Sequence, residues 1–356
     1  MLPQPAKRMN KFSYNETFVL ENGAVLDGIE IAYTIHGNLN DPARKVIWVC
    51  HALTANSDVF EWWPGLFGKA DLFNDREFTI VCANVIGGCY GSTGPLSNNP
   101  ETGKPFFHAF PLLTVKDIAH AHELLRTHLG IEKVFLGIGG SLGGQQLLEW
   151  NIENPDLFSN LVLIATNARH SPWGIAFNEA QRLAIKADST WKNDSAEAGL
   201  NGLKAARSIA LLSYRHYDAY SATQNESSDN ETDNFRASAY QEYQGEKLAK
   251  RFDAFTYFTL SKAMDSHNVG RNRTGIRPAL RSITAHTKVI GISSDLLFPI
   301  SEQELLAAEI PNATLHVMES NFGHDGFLVE TKKLTEILLE FSEKKHLKTT
   351  SITTQQ

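Results

Sequence analysis

Cysteine is scarce in this chain: Cys50, Cys82 and Cys89 are the only three among 356 residues. An odd count without framework spacing excludes a disulfide scaffold, and no pair is spaced for zinc. Two of them lie in or beside apolar runs, where cysteine behaves as a small hydrophobe. Long hydrophobic runs are missing too, since no stretch approaches the ~18 apolar residues of a membrane-spanning helix. The opening MLPQPAKRMNKFSYNE has no apolar signal-peptide core. Nor is there an excess of positive charge. A net charge of −7 argues against a general nucleic-acid binder or a partner of anionic membranes. These absences together point to a protein of the reducing cytoplasm.

What is present is alternation. Residues 46–50 (VIWVC), 78–83 (FTIVCA), 134–138 (VFLGI), 161–165 (LVLIA), 288–292 (KVIGI) and 314–318 (TLHVM) are short and rich in branched or aromatic side chains. Such runs suit strands buried on both faces of a parallel sheet. Residues 29–35 (IEIAYTI) alternate more and suit an antiparallel edge strand. Helical patterns lie between the runs. Thr114 with Asp117 forms a helix start, and Ile118, Ala121, Leu125 and Leu129 follow at helical spacing before Gly130. Strand and helix in turn mean an α/β protein with a mostly parallel sheet and helices on both faces.

The regularity stops between Asn167 and Arg281, where aromatics are many and strand-like runs few. This stretch is expected to be a helical lid inserted above the C-terminal ends of the strands, with a polar loop at 225–231. The expected organisation is therefore a tail at 1–17, a core at 18–166 and 282–346, the insertion at 167–281, and a tail at 347–356.

Gly139-Gly140-Ser141-Leu142-Gly143 fits G-x-S-x-G, with a strand run before it and a helical pattern after it. That context is the strained strand-to-helix elbow of the α/β-hydrolase fold, which exposes a serine nucleophile. The motif is not a dinucleotide loop, because its glycines are misspaced and it falls in mid-chain. An elbow serine needs an acid and a histidine, in the chain order Ser, Asp or Glu, His. Asp295 follows one strand run and His324, in NFGHDG, follows the last; both are candidates for the same end of the sheet as Ser141. Each alone could be an ordinary turn residue; the three in order after separate strands make the case. Backbone N–H groups near Leu53 and Leu142 are the candidate oxyanion donors. His316 lies inside a strand run, and His120, His122 and His128 ride on a helix that reads as surface.

Several segments together resemble the homoserine O-acetyltransferase family. They are CHALTANSDV (50–59), ANVIGGCYGSTGP (83–95), GIGGSLGGQQLLEW (137–150), IAFNEAQRLAI (175–185), ALLSYR (210–215), YQGEKLAKRFDAFTYFTLSKAMD (243–265), SSDLLFP (293–299) and GHDGFL (323–328). The resemblance implies a ping-pong transfer of an acetyl group from acetyl-CoA, through acyl-Ser141, to the side-chain hydroxyl of L-homoserine. It implies no metal and no permanently bound cofactor, a place in methionine biosynthesis, and a homodimer formed through the helical insertion. Asp325 would hold the amino acid's ammonium group and Arg215 its carboxylate, with Tyr214 or Tyr220 nearby. Phe252, Phe255, Tyr257 and Phe258 are candidates for the dimer contact or the tunnel lining. Leu142 stands where the family often has Met, and Tyr90 where a basic residue is frequent. Succinyl transfer, a serine acceptor, and an esterase with the same three residues remain the alternatives.

Overall fold

In the computed structural model, which describes residues 9–350, eight strands form one sheet in the order β1-β2-β4-β3-β5-β6-β7-β8. They are β1 (Asn10–Val19), β2 (Val25–His36), β3 (Lys45–Cys50), β4 (Phe78–Ala83), β5 (Val134–Gly140), β6 (Phe158–Ile164), β7 (His286–Ile292) and β8 (Ala313–Met318). The pairings β1/β2 and β2/β4 are antiparallel and the rest are parallel.

Side chains along a strand alternate between faces, and the two cores follow that period. Trp48 and Cys50 join one buried cluster while Ile47 and Val49 join the other. The first cluster is covered by α2 (Val115–His128), α3 (Leu142–Glu153), α9 (Ile276–Arg281) and α10 (Ile300–Glu309); the second by α1 (Val59–Trp62), α11 (Gly326–Val329) and α12 (Thr331–Thr350). Helix α2 starts with the anticipated capping box, in which the Asp117 carboxylate accepts from Thr114 N at 2.8 Å and Thr114 Oγ1 accepts from Asp117 N.

Three expectations need correction. Residues 10–17 are not a tail but most of β1, joined to β2 by a tight turn at Asn22-Gly23, the pairing that favours hairpins. Strand β2 is consequently flanked on both sides, and β1 is the edge; its one well-buried residue, Phe18, gives too weak a pattern to read from sequence. Helix α12 runs to Thr350, into the expected C-terminal tail, while residues 1–8 and 351–356 lie outside the described residues.

Between β6 and β7 the chain leaves the sheet through α4 (Pro172–Ala187), α5 (Leu200–Tyr214), α6 (Tyr217–Gln224), α7 (Arg236–Ala249) and α8 (Ala254–Asp265) before reaching α9. Here polar partners do much of the joining. Buried Arg182 of α4 meets Asp265 of α8 at 2.5 Å and Ser261 at 3.2 Å, and Tyr257 donates to Gln181 at 2.7 Å. Phe252, Phe255 and Tyr257 are buried inside the chain, Phe255 against Phe107, His108 and Trp191, so they are not available as a dimer surface. The segment touches the sheet where its strands end. Arg251 donates to Thr54 O after β3, and a Cβ on Gly323, after β8, would lie 2.9 Å from Tyr214 O.

Candidate active site

Ser141 sits between β5 and α3 with φ 56° and ψ −124°, a conformation that costs a non-glycine residue of order 1–3 kcal/mol. Its surroundings enforce it. Ser141 N donates to Ile164 O of β6 at 2.9 Å, and Thr166 Oγ1 donates to Ser141 O at 2.9 Å. The flanking glycines are steric necessities: a Cβ on Gly143 would lie 2.1 Å from Cys50 O, and one on Gly139 2.9 Å from the same atom. Helix α3 therefore presses against the end of β3, and its first N–H groups, beginning with Leu142, have no acceptor within the helix. The serine side chain does not cap them.

Asp295 lies just past β7, and its Oδ1 accepts from Leu297 N and Phe298 N at 2.8 and 2.9 Å. Its other oxygen, Oδ2, accepts from His324 Nδ1 at 2.7 Å. His324 stands on a short turn after β8, buried among Phe298 (ring centroids 5.0 Å apart), Phe327 and Tyr214 (5.7 Å each). Phe327 also packs on Gly140, the residue before the serine, so one ring fills the space beside both. Burial opposes protonation of His324. The charge and hydrogen bond of Asp295, with the charge of Asp325, outweigh it and place the pKa above the ordinary 6.5. An imidazole so held keeps its Nδ1 proton on Asp295 and leaves Nε2 to move a proton.

Arg215, the residue that ends α5, and Asp325, next to His324, face each other. Arg215 Nε lies 2.9 Å from Asp325 Oδ2 but out of hydrogen-bond direction, so the contact is an ion pair rather than a directed bond. Both are partly exposed, and Tyr220 lines a small recess with Arg215.

Leu53, the other expected oxyanion donor, is buried in a turn closed by Ala55 N on Ala52 O at 3.0 Å. Thr54 O of this turn accepts from Arg251 at 2.5 Å, and the same guanidinium reaches Tyr90 Oη at 2.6 Å. Arg251 thus brings a positive charge to the position where Tyr90 departs from the family pattern. Sequence reasoning missed three residues here. His51 bonds Ala52 O and Val85 N; Gln146 Nε2 donates to His51 O at 3.1 Å; and His122, buried rather than on a surface, bonds Gln146 Oε1 at 2.9 Å. These partners are far apart in the chain, and only the His122 side of the helix could have hinted at burial.

Among the described residues no group of three His, Cys, Asp or Glu side chains could hold a metal ion, and no helix is long and apolar enough to cross a membrane. A groove of about 460 Å³ beside the β1–β2 hairpin, lined by Tyr14, Asp27, Glu30 and Phe106, shares no residue with this site.

The sheet order, the serine elbow and the loops after β7 and β8 define an enzyme class, that of the α/β hydrolase fold. A profile of that fold family matches residues 45–331. The chain is 46% identical to homoserine O-acetyltransferase of Cyclobacterium marinum, over 93% of this chain and 94% of the relative. It is 42% identical to the homoserine O-acetyltransferase of Trichormus variabilis, over 94% of each. Among solved structures, homoserine O-acetyltransferase from Staphylococcus aureus superposes with a TM-score of 0.79 at 28% identity, covering 94% of both chains. Esterase E22, at 22% identity and a TM-score of 0.83 over 94% of this chain and 100% of its own, shares the fold. This chain belongs to the homoserine O-acetyltransferase family.

Proposed function

We propose that the protein transfers an acetyl group from acetyl-CoA to the side-chain hydroxyl of L-homoserine, with Ser141, His324 and Asp295 as catalytic residues. The observation that carries this reading is the Arg215–Asp325 pair beside His324. A carboxylate next to the base and a guanidinium across from it are matched to the ammonium and carboxylate of a free amino acid. An esterase acting with water has no use for them.

Ser141 Oγ attacks the thioester carbonyl while His324 Nε2 takes its proton. The tetrahedral oxyanion is received by the N–H groups of Leu53 and Leu142. Collapse expels the CoA thiolate, which is protonated from His324, and leaves acetyl-Ser141. Homoserine then enters and exchanges the Arg215–Asp325 contact for its own carboxylate on Arg215 and its ammonium on Asp325. Its hydroxyl loses a proton to His324, attacks the acetyl carbon, and leaves as the ester when Ser141 recovers the proton. Asp295 orients the imidazole and balances its positive charge through both half-reactions. The helices of 172–281 act as a lid that keeps water from the acyl-enzyme.

No cofactor stays bound in this reading, and acetyl-CoA is consumed as a co-substrate. The enzyme works in the cytoplasm, where its three free cysteines stay reduced. It pairs as a homodimer through exposed apolar side chains of the helical segment, such as Leu212, Tyr217 and Tyr243.

The test mixes purified protein with acetyl-CoA or succinyl-CoA, with and without L-homoserine or L-serine, and follows free CoA thiol. Release with acetyl-CoA that depends on homoserine, and that is lost in Ser141→Ala, is expected. Release without any amino acid means a hydrolase, and preference for succinyl-CoA or serine means a different acyl transfer.

A further inference from the structure

We infer that His51 is a positioning residue that aims the Leu53 N–H at the oxyanion, through a single tautomer of its ring. This deepens the proposed function and rests on its reading of Leu53 as an oxyanion donor. His51 is 2% exposed and lies outside the catalytic trio. Its Nε2 lies 3.2 Å from Val85 N, and its Nδ1 lies 2.9 Å from Ala52 O. A backbone N–H can only donate, so Nε2 must be the bare nitrogen. The ring proton then sits on Nδ1, where the only partner is a carbonyl that can only accept. Both bonds demand the neutral ring, and burial supports it by pulling the pKa down to about 4.

The held carbonyl matters because of what shares its peptide plane. Ala52 C=O and Leu53 N–H belong to one peptide unit, and in a trans unit they point in opposite directions. Ala52 O is fixed from two sides, by His51 Nδ1 and by Ala55 N at 3.0 Å. Rotation of this peptide is therefore blocked, and the Leu53 N–H is directed away from the imidazole. Gln146 Nε2 on His51 O, 3.1 Å, braces the preceding peptide from α3, the helix that begins beside Ser141. Both oxyanion donors are thus referred to the same helix.

The test separates the two ring nitrogens. His51→Asn places an amide N–H where Nδ1 was and keeps the Ala52 bond. His51→Gln reaches the Nε2 position, keeps an acceptor for Val85 N and loses the Ala52 bond. Steady-state kinetics with acetyl-CoA and homoserine, acylation by p-nitrophenyl acetate, and thermal melting are measured for both. In His51→Gln, kcat and the acylation rate are expected to fall together by ~10²-fold or more, the scale of one lost oxyanion donor, with both KM values within about threefold of the parent. His51→Asn is expected to retain at least ~10-fold more of both rates. Equal losses in the two variants, or losses that track only the melting temperature, overturn the inference.

A readout without variants uses the wild-type protein. Nitrogen NMR, with His51 assigned through its own Cα and Cβ connectivities, is expected to show the proton on Nδ1 and no titration between pH 5 and 8. A proton on Nε2 overturns the inference even if no variant folds. Acylation by p-nitrophenyl acetate reads the oxyanion site without CoA or homoserine. A wrong acceptor or donor in the proposed function therefore shows in the CoA assay alone and leaves this test standing.

Discussion

Within the sheet, Ile47, Val49, Ile138 and Ile164 are fully buried and held by apolar packing against neighbouring strands and covering helices. Within the helical segment, Ile185, Leu203 and Leu260 are buried in the same way, but so are Arg182, Gln181, Asn178, Thr256 and Ser261, each tied by a directed bond to a polar partner. The two regions also supply different parts of the site. Ser141, Asp295 and His324 stand on loops leaving strands, buried and enclosed by backbone donors and rings. Arg215 comes from the helical segment and is partly exposed, paired across the seam with Asp325. The contrast teaches a division of labour. In the proposed reaction, chemistry rests on loops anchored to the sheet, and recognition of the acceptor falls at their boundary with the helical segment.

The largest effect should come from the core side. Ser141→Ala is expected to lower the rate of CoA release by ~10⁴-fold or more, and Asp295→Asn by ~10³–10⁴-fold, because a lost partner leaves the imidazole in the wrong tautomer. Stopped-flow thiol detection checks both, and a tenfold loss or less for Ser141→Ala would remove it as nucleophile. Next in size is the helical segment's own stability. Arg182→Met leaves Asp265 without its cation and Ser261 without its donor, and should cost about 3 kcal/mol in urea unfolding. A core trim such as Ile138→Val should cost only ~1 kcal/mol. If the Arg182 change proves the milder one, the polar ties do not hold the segment together.

Smaller again is the seam. Arg215→Lys keeps the charge but loses the planar fork, and is expected to raise the KM for homoserine ~10-fold with p-nitrophenyl acetate acylation near the parent rate. A drop in acylation instead would place Arg215 in the chemistry. Among effects on catalysis, the smallest is that of pH. With its pKa raised, His324 is protonated at pH values where an ordinary histidine is already free, so kcat/KM should fall as pH drops through a value above 6.5. Asp295→Asn should move that midpoint down. Stability moves differently. His51, His122 and His170 are buried neutral with pKa about 4, and His267 about 3. Below 6.5 the unfolded chain binds protons that the fold refuses, so stability is lost as pH falls from 6.5 toward 4, by up to ~1.4 kcal/mol per pH unit for each. Urea titrations at pH 7.5 and 5.5 read this loss.

The same contrast explains what could be read in advance. Strands β3 to β7 announced themselves because burial on both faces requires unbroken apolar runs; β8, the far edge, has an apolar run too but buries only Met318. The elbow around Ser141 was legible because its glycines are forced by the contact with Cys50 O. Asp295 and His324 followed from chain order, and the structure joins them at 2.7 Å. Arg215 and Asp325 came through family likeness, since neither lies in a pattern with physical meaning of its own. Strand β1 stayed hidden because an edge strand with one well-buried side chain carries almost no periodic signal. The Gln146–His51 brace was hidden for another reason. Its partners lie 95 residues apart, and nothing local in either segment selects the other.

The backward twist of the chain at Ser141 has a consequence for how such a protein can change. A serine at φ 56° is held there against its own preference, and glycine has no such preference to overcome. Ser141→Gly should therefore fold to a tougher protein than the parent while catalysing nothing. Stability alone gives no reason to keep a side chain at this strained position; the chemistry proposed for Ser141 does.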